Sequence, residues 1–210
     1  AHGKDVPSLE ATAEYLQSYM ESLHVSRRFT TEEIIKGKMP MVQDKPVEQR
    51  GKPPVLPWPH PSAGWAALSV DGAFSPSDGS AAAGMILCRQ DGSIIFAAYR
   101  CIFNCNDALE AEIHAIMQGM ALAIQHTVLP VVVQSDSAIG LSVLATDGLT
   151  KSAYGHLILE IKDLMMEREF LPQKLHRSQN SVADRVANYS RTERTTAVWV
   201  HSVPPCIEDL

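Results

Sequence analysis

Five prolines, Pro53, Pro54, Pro57, Pro59 and Pro61, fall within an eleven-residue stretch beginning at Gly51, with Trp58 among them. Each fixes φ and removes a backbone donor, which excludes helix and most strand pairing there. Residues 51–62 therefore read as an extended, polyproline-like linker. The segment before it, residues 1–50, reads as helical. Pro7-Ser8 opens a helix on which Leu9, Ala13, Leu16, Met20 and Leu23 recur at helical spacing. Thr30-Thr31-Glu32-Glu33 fits a capping box, and Gly37 supplies a stop. Two short helices bury little surface alone, so this accessory segment is expected to dock on the rest of the chain, bind a protein partner, or stay loose.

Beyond the linker the pattern changes to strands. Trp65–Phe74 is rich in small and apolar residues. Ala81–Arg89 and Ser93–Cys101 flank Gln90-Asp91-Gly92, a hairpin signal because Asp-Gly accepts positive φ. Asp107-Ala108-Leu109-Glu110 can cap a long helix striped by Ile113, Ile116, Met117, Met120 and Ile124. Val128–Ser135 holds a continuous apolar run suited to a central strand buried on both faces. Helical segments at Ala138–Ala145 and Ala153–Arg168 lead to a strand at Phe170–His176. Asn180 then caps a last helix bearing Val182, Ala183, Val186 and Ala187. The order β-β-β-α-β-α-α-β-α predicts an α/β domain over residues 63–195. Its mixed sheet would have five strands, three antiparallel and then two parallel, flanked by helices. Residues 196–210, with Trp199, read as a C-terminal surface tail.

Of 210 residues, 45% are hydrophobic and 20% charged, which excludes wholesale disorder. The formal net charge of −6 excludes a broadly basic nucleic-acid coat. Any nucleic-acid role must rest on a local site helped by metal ions. No run reaches the ~18 apolar residues of a membrane span, and no signal peptide is visible, so no membrane association is expected. Cys88, Cys101, Cys105 and Cys206 read as reduced thiols of an intracellular protein, nuclear or cytoplasmic. Cys101-x3-Cys105 lacks the second pair a zinc site needs.

The informative residues are carboxylates. Asp71 interrupts an apolar strand, where nothing structural calls for a charge and burial penalises one. Asp136 ends the buried fourth strand, where open α/β sheets place ligands. If the first and fourth strands are neighbours, the two carboxylates meet. Asp184 flanks the buried stripe of the last helix, and Glu112 flanks that of the long helix. Each of these three has an ordinary reading too: Asp136 as a turn or cap residue, Asp184 favoured by the helix dipole, Glu112 as a solvated residue with Glu110 competing for its role. Four acidic groups in one cleft would repel unless cations lay among them. Magnesium or manganese suits an all-oxygen site, and two such ions can clamp both oxygens of an in-line phosphoryl displacement.

From Trp58 to about Arg191 the chain resembles the type 1 ribonuclease H domain, in the version common in plant proteins and plant retroelements. The motifs, in order, begin with Gly64-Trp65 and Ser69-Val70-Asp71-Gly72-Ala73-Phe74, followed by Ala83-Gly84-Met85-Ile86-Leu87-Cys88-Arg89-Gln90-Asp91-Gly92. Ala108-Leu109-Glu110-Ala111-Glu112 and Gln134-Ser135-Asp136-Ser137 follow, then Arg177-Ser178-Gln179-Asn180-Ser181-Val182-Ala183-Asp184-Arg185-Val186-Ala187. The resemblance implies a ribonuclease H-like fold. It also implies that Asp71, Glu112, Asp136 and Asp184 are the metal-binding and catalytic carboxylates. Asp71 and Asp136 would engage both ions, and Glu112 and Asp184 one each. The implied activity is cleavage of the RNA strand of an RNA–DNA hybrid.

The chain departs from the family pattern in two places. Many members carry a His about ten residues before the last Asp; Lys174 stands there, with His176 two positions away. The basic handle of cellular bacterial relatives is missing: Lys151 and Lys162 lie among Asp147, Glu160 and Asp163. Nucleic-acid affinity is therefore expected to be modest and steeply salt-dependent. The alternative function is a ribonuclease H-like fold of weak or no activity, serving as a protein- or nucleic-acid-binding adaptor.

Overall fold

A strand covered on both faces is buried along nearly its whole length, and the first strand is. In β1 (Ala66–Phe74) every residue but Gly72 and Phe74 is buried. Leu68 and Val70 point to one face, against Gly119 of the long helix α1 (Ala108–His126). Ala67, Ser69 and Asp71 alternate to the other. The computed structural model describes residues 56–145 and 152–208, which belong to one compact unit, Pro54–Leu210. The helices expected in residues 1–50, and the linker as far as residue 55, lie outside the described residues.

Strands β2 (Ala81–Arg89) and β3 (Ile94–Ile102) form the expected hairpin. Gly92 takes a φ of +81° in its turn, and Asp91 Oδ1 accepts from the Ser93 amide at 2.9 Å. After α1 come β4 (Val131–Ser135), α2 (Ala138–Ala145), α3 (Gly155–Glu167), β5 (Phe170–Lys174), a 3₁₀ turn at Arg177–Gln179, α4 (Ser181–Glu193) and β6 (Ala197–Val200). The sheet order is β5-β4-β1-β2-β3-β6. β4 is parallel to both β1 and β5, and the other pairings are antiparallel.

The expected mixed sheet is present with one correction, six strands for five. The sixth, β6, lies in the segment read as a surface tail and pairs with β3, Phe96 opposite Val200 and Tyr99 opposite Ala197. Its alternation turns Trp199 onto Tyr99, with ring centroids 5.0 Å apart, and Ile207 is buried in the same cluster. Four residues with Val198 and Val200 exposed carry too little periodicity to stand out in the sequence.

On one face, α1 and α3 bury Ile113, Ile116, Met120, Ile158 and Ile161 against Leu68, Val70, Met85 and Leu87. Burying each such side chain contributes roughly 1.5–3 kcal/mol. On the other face, α4 sets Val186 over Ile86, Ala97 and Tyr99. Beside it on that face runs a polar row, because Ser69, Gln134 and Gln173 lie level across β1, β4 and β5. Residues 56–62, in neither helix nor strand, cover it. Gln134 is fully buried, and its side chain is satisfied on both ends. Its Oε1 accepts from Trp58 Nε1 (2.8 Å) and Ser69 Oγ (2.9 Å), while Nε2 donates to Pro59 O (2.9 Å) and Gln173 Oε1 (2.8 Å). None of the four cysteines forms a disulfide. No helix among the described residues is long and apolar enough to cross a membrane.

Candidate metal centre

Backbone proximity places three of the four expected carboxylates. Parallel pairing of β1 and β4 sets Ser69 against Gln134, so Asp71 and Asp136, each two residues on, project at one level. Gly72 brings the third. A Cβ at Gly72 would lie 2.4 Å from Ala111 C and Glu112 N, so only glycine lets β1 press against α1 at Glu112. One carboxylate oxygen from each of Asp71, Glu112 and Asp136 lies within 4.8 Å of the others. Glu110 takes no part: its Oε2 accepts from the Asn106 backbone and side-chain nitrogens, both at 2.7 Å.

Asp184 reaches the same cleft through a second glycine. Gly84 pairs with Asp71 across β1 and β2, and a Cβ there would lie 2.4 Å from Ala183 O and 2.6 Å from Ala187 N. Helix α4 thus touches the sheet beside Asp71. Asp71, Glu112, Asp136, Asp184, Arg177 and Asn188 share the lining of a cavity of about 270 Å³. Asp184 is exposed and stands outside the close trio. Its Oδ1 accepts from Asn188 Nδ2 at 3.1 Å.

Packing negative groups together out of water disfavours ionisation. Burial, reinforced by the charges of Asp136 and Asp184, raises the Asp71 carboxyl to about 7. Burial, with Asp71 and Asp136 adding, raises Glu112 to about 8. Glu112 Oε2 is buried without a hydrogen-bond partner. A divalent cation would relieve both conditions, and an all-carboxylate donor set is the kind hard cations prefer. The residues present fit such an ion.

The polar neighbours were less visible in the sequence. Asn180 was expected to cap α4, but its side chain makes no capping bond. It is buried, and its Nδ2 donates to Val70 O at 3.0 Å, Asp71 Oδ1 at 3.3 Å and Asp136 Oδ1 at 3.4 Å. The signal was its spacing, one helical turn before Asp184. Arg177 Nε lies 3.6 Å from Asp136 Oδ2. Lys174, at the position where the family pattern predicts His, donates from Nζ to the Asp136 backbone oxygen. His176 caps the 3₁₀ turn, its Nδ1 accepting from the Ser178 amide. Glu112, Asp136, Lys174, His176 and Arg177 line an adjoining cavity of about 550 Å³.

A family model described as reverse transcriptase-like matches residues 69–190, more than half of the chain. Among solved structures, the chain is similar to RNase H1 of the halophilic archaeon Halobacterium salinarum, with 21% identity, 63% of this chain and 100% of that chain covered, and a TM-score of 0.55. It is also similar to LC11-RNase H1, isolated from compost, at 17% identity, 62% and 98% coverage and a TM-score of 0.57. The same LC11 enzyme in complex with an RNA/DNA hybrid matches at 17% identity, 61% and 98% coverage and a TM-score of 0.52. No curated protein matches the chain. At these identities the structural likeness speaks for the fold, while the family match speaks for descent. The two agree: the chain belongs to the reverse transcriptase-like family, and its domain has the type 1 ribonuclease H-like fold.

Proposed function

We propose that this protein is a divalent-metal-dependent endoribonuclease that cleaves the RNA strand of RNA–DNA hybrids, leaving 3′-hydroxyl and 5′-phosphate ends. The observation that carries the reading is the meeting of Asp71, Glu112 and Asp136 within 4.8 Å, with a Glu112 oxygen buried and unpartnered. Asp71 and Asp136 would engage two Mg²⁺ or Mn²⁺ ions, with Glu112 and Asp184 holding one each. Bound there, the ions would supply charge stabilisation for the attacking and leaving oxygens of a phosphodiester. Arg177 and Lys174 at the mouth of the cleft would draw in the phosphate backbone despite the acidic balance of the chain. Contacts with 2′-hydroxyls across the minor groove would select RNA. An RNase H1 of this fold has been solved with an RNA/DNA hybrid, which supports that ligand class.

The remaining expectations complete the proposal: residues 1–50 as an accessory segment for a protein partner, residues 63–195 as the nuclease domain with β6 added at the edge of its sheet, and a nuclear or cytoplasmic setting. The test is incubation of a hybrid labelled on its RNA strand with the protein and Mg²⁺ or Mn²⁺, with EDTA as control. Metal-dependent cutting supports the reading, and an uncut hybrid with either metal refutes it. The second reading, an inactive adaptor, draws on one observation. Arg177 already stands beside Asp136 and supplies part of the counter-charge that a metal would otherwise provide.

A further inference from the structure

We infer that Trp58 and Gln179 are positioning residues, through which the end of the proline-rich linker fixes the geometry of the carboxylate cleft. This rests on the nuclease reading above. Trp58 Nε1 donates to Ser69 Oγ at 3.2 Å and to Gln134 Oε1 at 2.8 Å. Those two residues pair with each other and lie two positions before Asp71, on β1, and Asp136, just past the end of β4. The indole N–H therefore ties together the two strands that carry the central carboxylates, one pleat below both. A tryptophan serving only to cover apolar surface has no need of that placement; here its donor enters a buried polar network.

The residue before it holds the loop on the other side of the cleft. Gln179 Nε2 donates to Pro57 O at 2.8 Å, and Gln179 Oε1 accepts from the His176 amide at 2.9 Å. One side chain thus joins the linker to the 3₁₀ turn Arg177–Gln179. A three-residue turn of this kind has poor internal hydrogen-bond geometry and takes its shape from outside contacts. This turn carries Arg177, 3.6 Å from Asp136, and is followed by Asn180, whose bonds to Asp71 and Asp136 are long at 3.3 and 3.4 Å. Bonds of that length are lost with a small displacement, and ligand positions matter to about half an ångström. The linker fastens both sides: the strands through Trp58, the loop through Pro57 and Gln179.

Two substitutions separate this role from mere folding. Trp58→Phe keeps an aromatic ring and removes the donor. Gln179→Glu keeps the acceptor for His176 and removes the donor to Pro57. Ser202→Ala serves as control, because Ser202 is exposed just past β6, at the far edge of the sheet, with its Oγ donating to Val200 O. All are made in the full chain and compared at a temperature where each is folded by circular dichroism. Both test variants should lower kcat for hybrid cleavage about ten-fold, with KM within about two-fold of the parent. Both should weaken calorimetric Mn²⁺ binding about five-fold and speed amide exchange in residues 175–180. Ser202→Ala should match the parent throughout. Unchanged kcat and Mn²⁺ affinity in both variants would overturn the inference, and if one variant fails to fold the other decides. If the parent neither binds Mn²⁺ nor cuts, the nuclease reading fails on its own. The bracing is then judged by exchange alone: faster exchange in residues 175–180 supports it, and unchanged exchange overturns it.

Discussion

Asp71 on β1 and Asp136, just past the end of the neighbouring parallel strand β4, each lie two residues beyond the paired Ser69 and Gln134. Backbone pairing therefore brings two like charges together, and the fold holds them there with Asn180 donating to both. Such an arrangement opposes stability in the absence of a cation, which gives the cluster consequences that can be measured without any nucleic acid.

Asp136→Asn should abolish hybrid cleavage while preserving or raising the stability of the metal-free protein. It removes a charge that disfavours ionisation of both Asp71 and Glu112. The ion pair it loses involves an Arg177 side chain that is 89% exposed, and exposed pairs contribute about 0–1 kcal/mol. Urea denaturation in EDTA checks this. A variant that cannot fold would make Asp136 a structural residue.

The metal-free protein should lose stability as pH rises. Asp71 is raised from 3.8 to about 7 and Glu112 from 4.5 to about 8. The folded state therefore holds more protons than the unfolded state between those values, and the slope of stability with pH is negative there. The contribution is fully present below the unfolded values and is gone once pH passes the folded ones. Melting temperatures in EDTA should fall between about pH 5 and pH 8 relative to Asp71→Asn. Excess Mg²⁺ should restore the parent at the upper end. A parallel decline in parent and variant would show that the cluster is not responsible.

Gly84→Ala should destabilise more than Gly119→Ala. The new methyl at residue 84 would meet backbone, 2.4 Å from Ala183 O, whereas at residue 119 it meets the movable side chains of Val70 and Leu68 at 3.0–3.3 Å. Overpacking that shifts α4 costs about 1–3 kcal/mol, and it would also carry Asp184 away from the cleft. Chemical denaturation of the two variants ranks them, and equal losses would contradict the close approach of α4.

A chain beginning at Val55 should fold and keep any cleavage activity, because the four carboxylates and the Trp58 contacts all lie beyond it. A chain beginning at Ser62 should be weaker by about 1–3 kcal/mol, since it strips buried Gln134 of the Trp58 donor and the Pro59 acceptor. If residues 1–50 serve a protein partner, the first truncation should remove that association and leave metal binding intact. Unfolding of the Val55 chain would instead make the Leu9/Leu16/Met20/Leu23 stripe part of the core.

Much of this fold was legible because its signals are periodic and long. The α1 stripe of Ile113, Ile116 and Met120 is buried as its spacing required, and the Asp91-Gly92 turn joins the strands it was expected to join. Asp71 announced the cleft by being a charge with no structural reason to sit in a strand. What escaped were residues whose role depends on contacts distant in sequence. Asn180 looks like a cap, yet it serves carboxylates 44 and 109 positions away. Gln134 ends an apolar run, and its partner Trp58 lies 76 positions earlier, inside a stretch whose prolines suggested only a connector. Gly72 and Gly84 are close-approach residues that periodicity does not register, since their information is the absence of a side chain.

Calorimetric titration of the metal-free protein with Mn²⁺ near pH 8, in parallel with Asp71→Asn and Glu112→Gln, tests most directly whether the converging carboxylates form a metal centre. The parent should bind, Asp71→Asn should lose binding, and Glu112→Gln should weaken it about ten-fold or more. No Mn²⁺ binding by the folded parent, or equal binding by all three proteins, would contradict a metal centre at Asp71, Glu112 and Asp136.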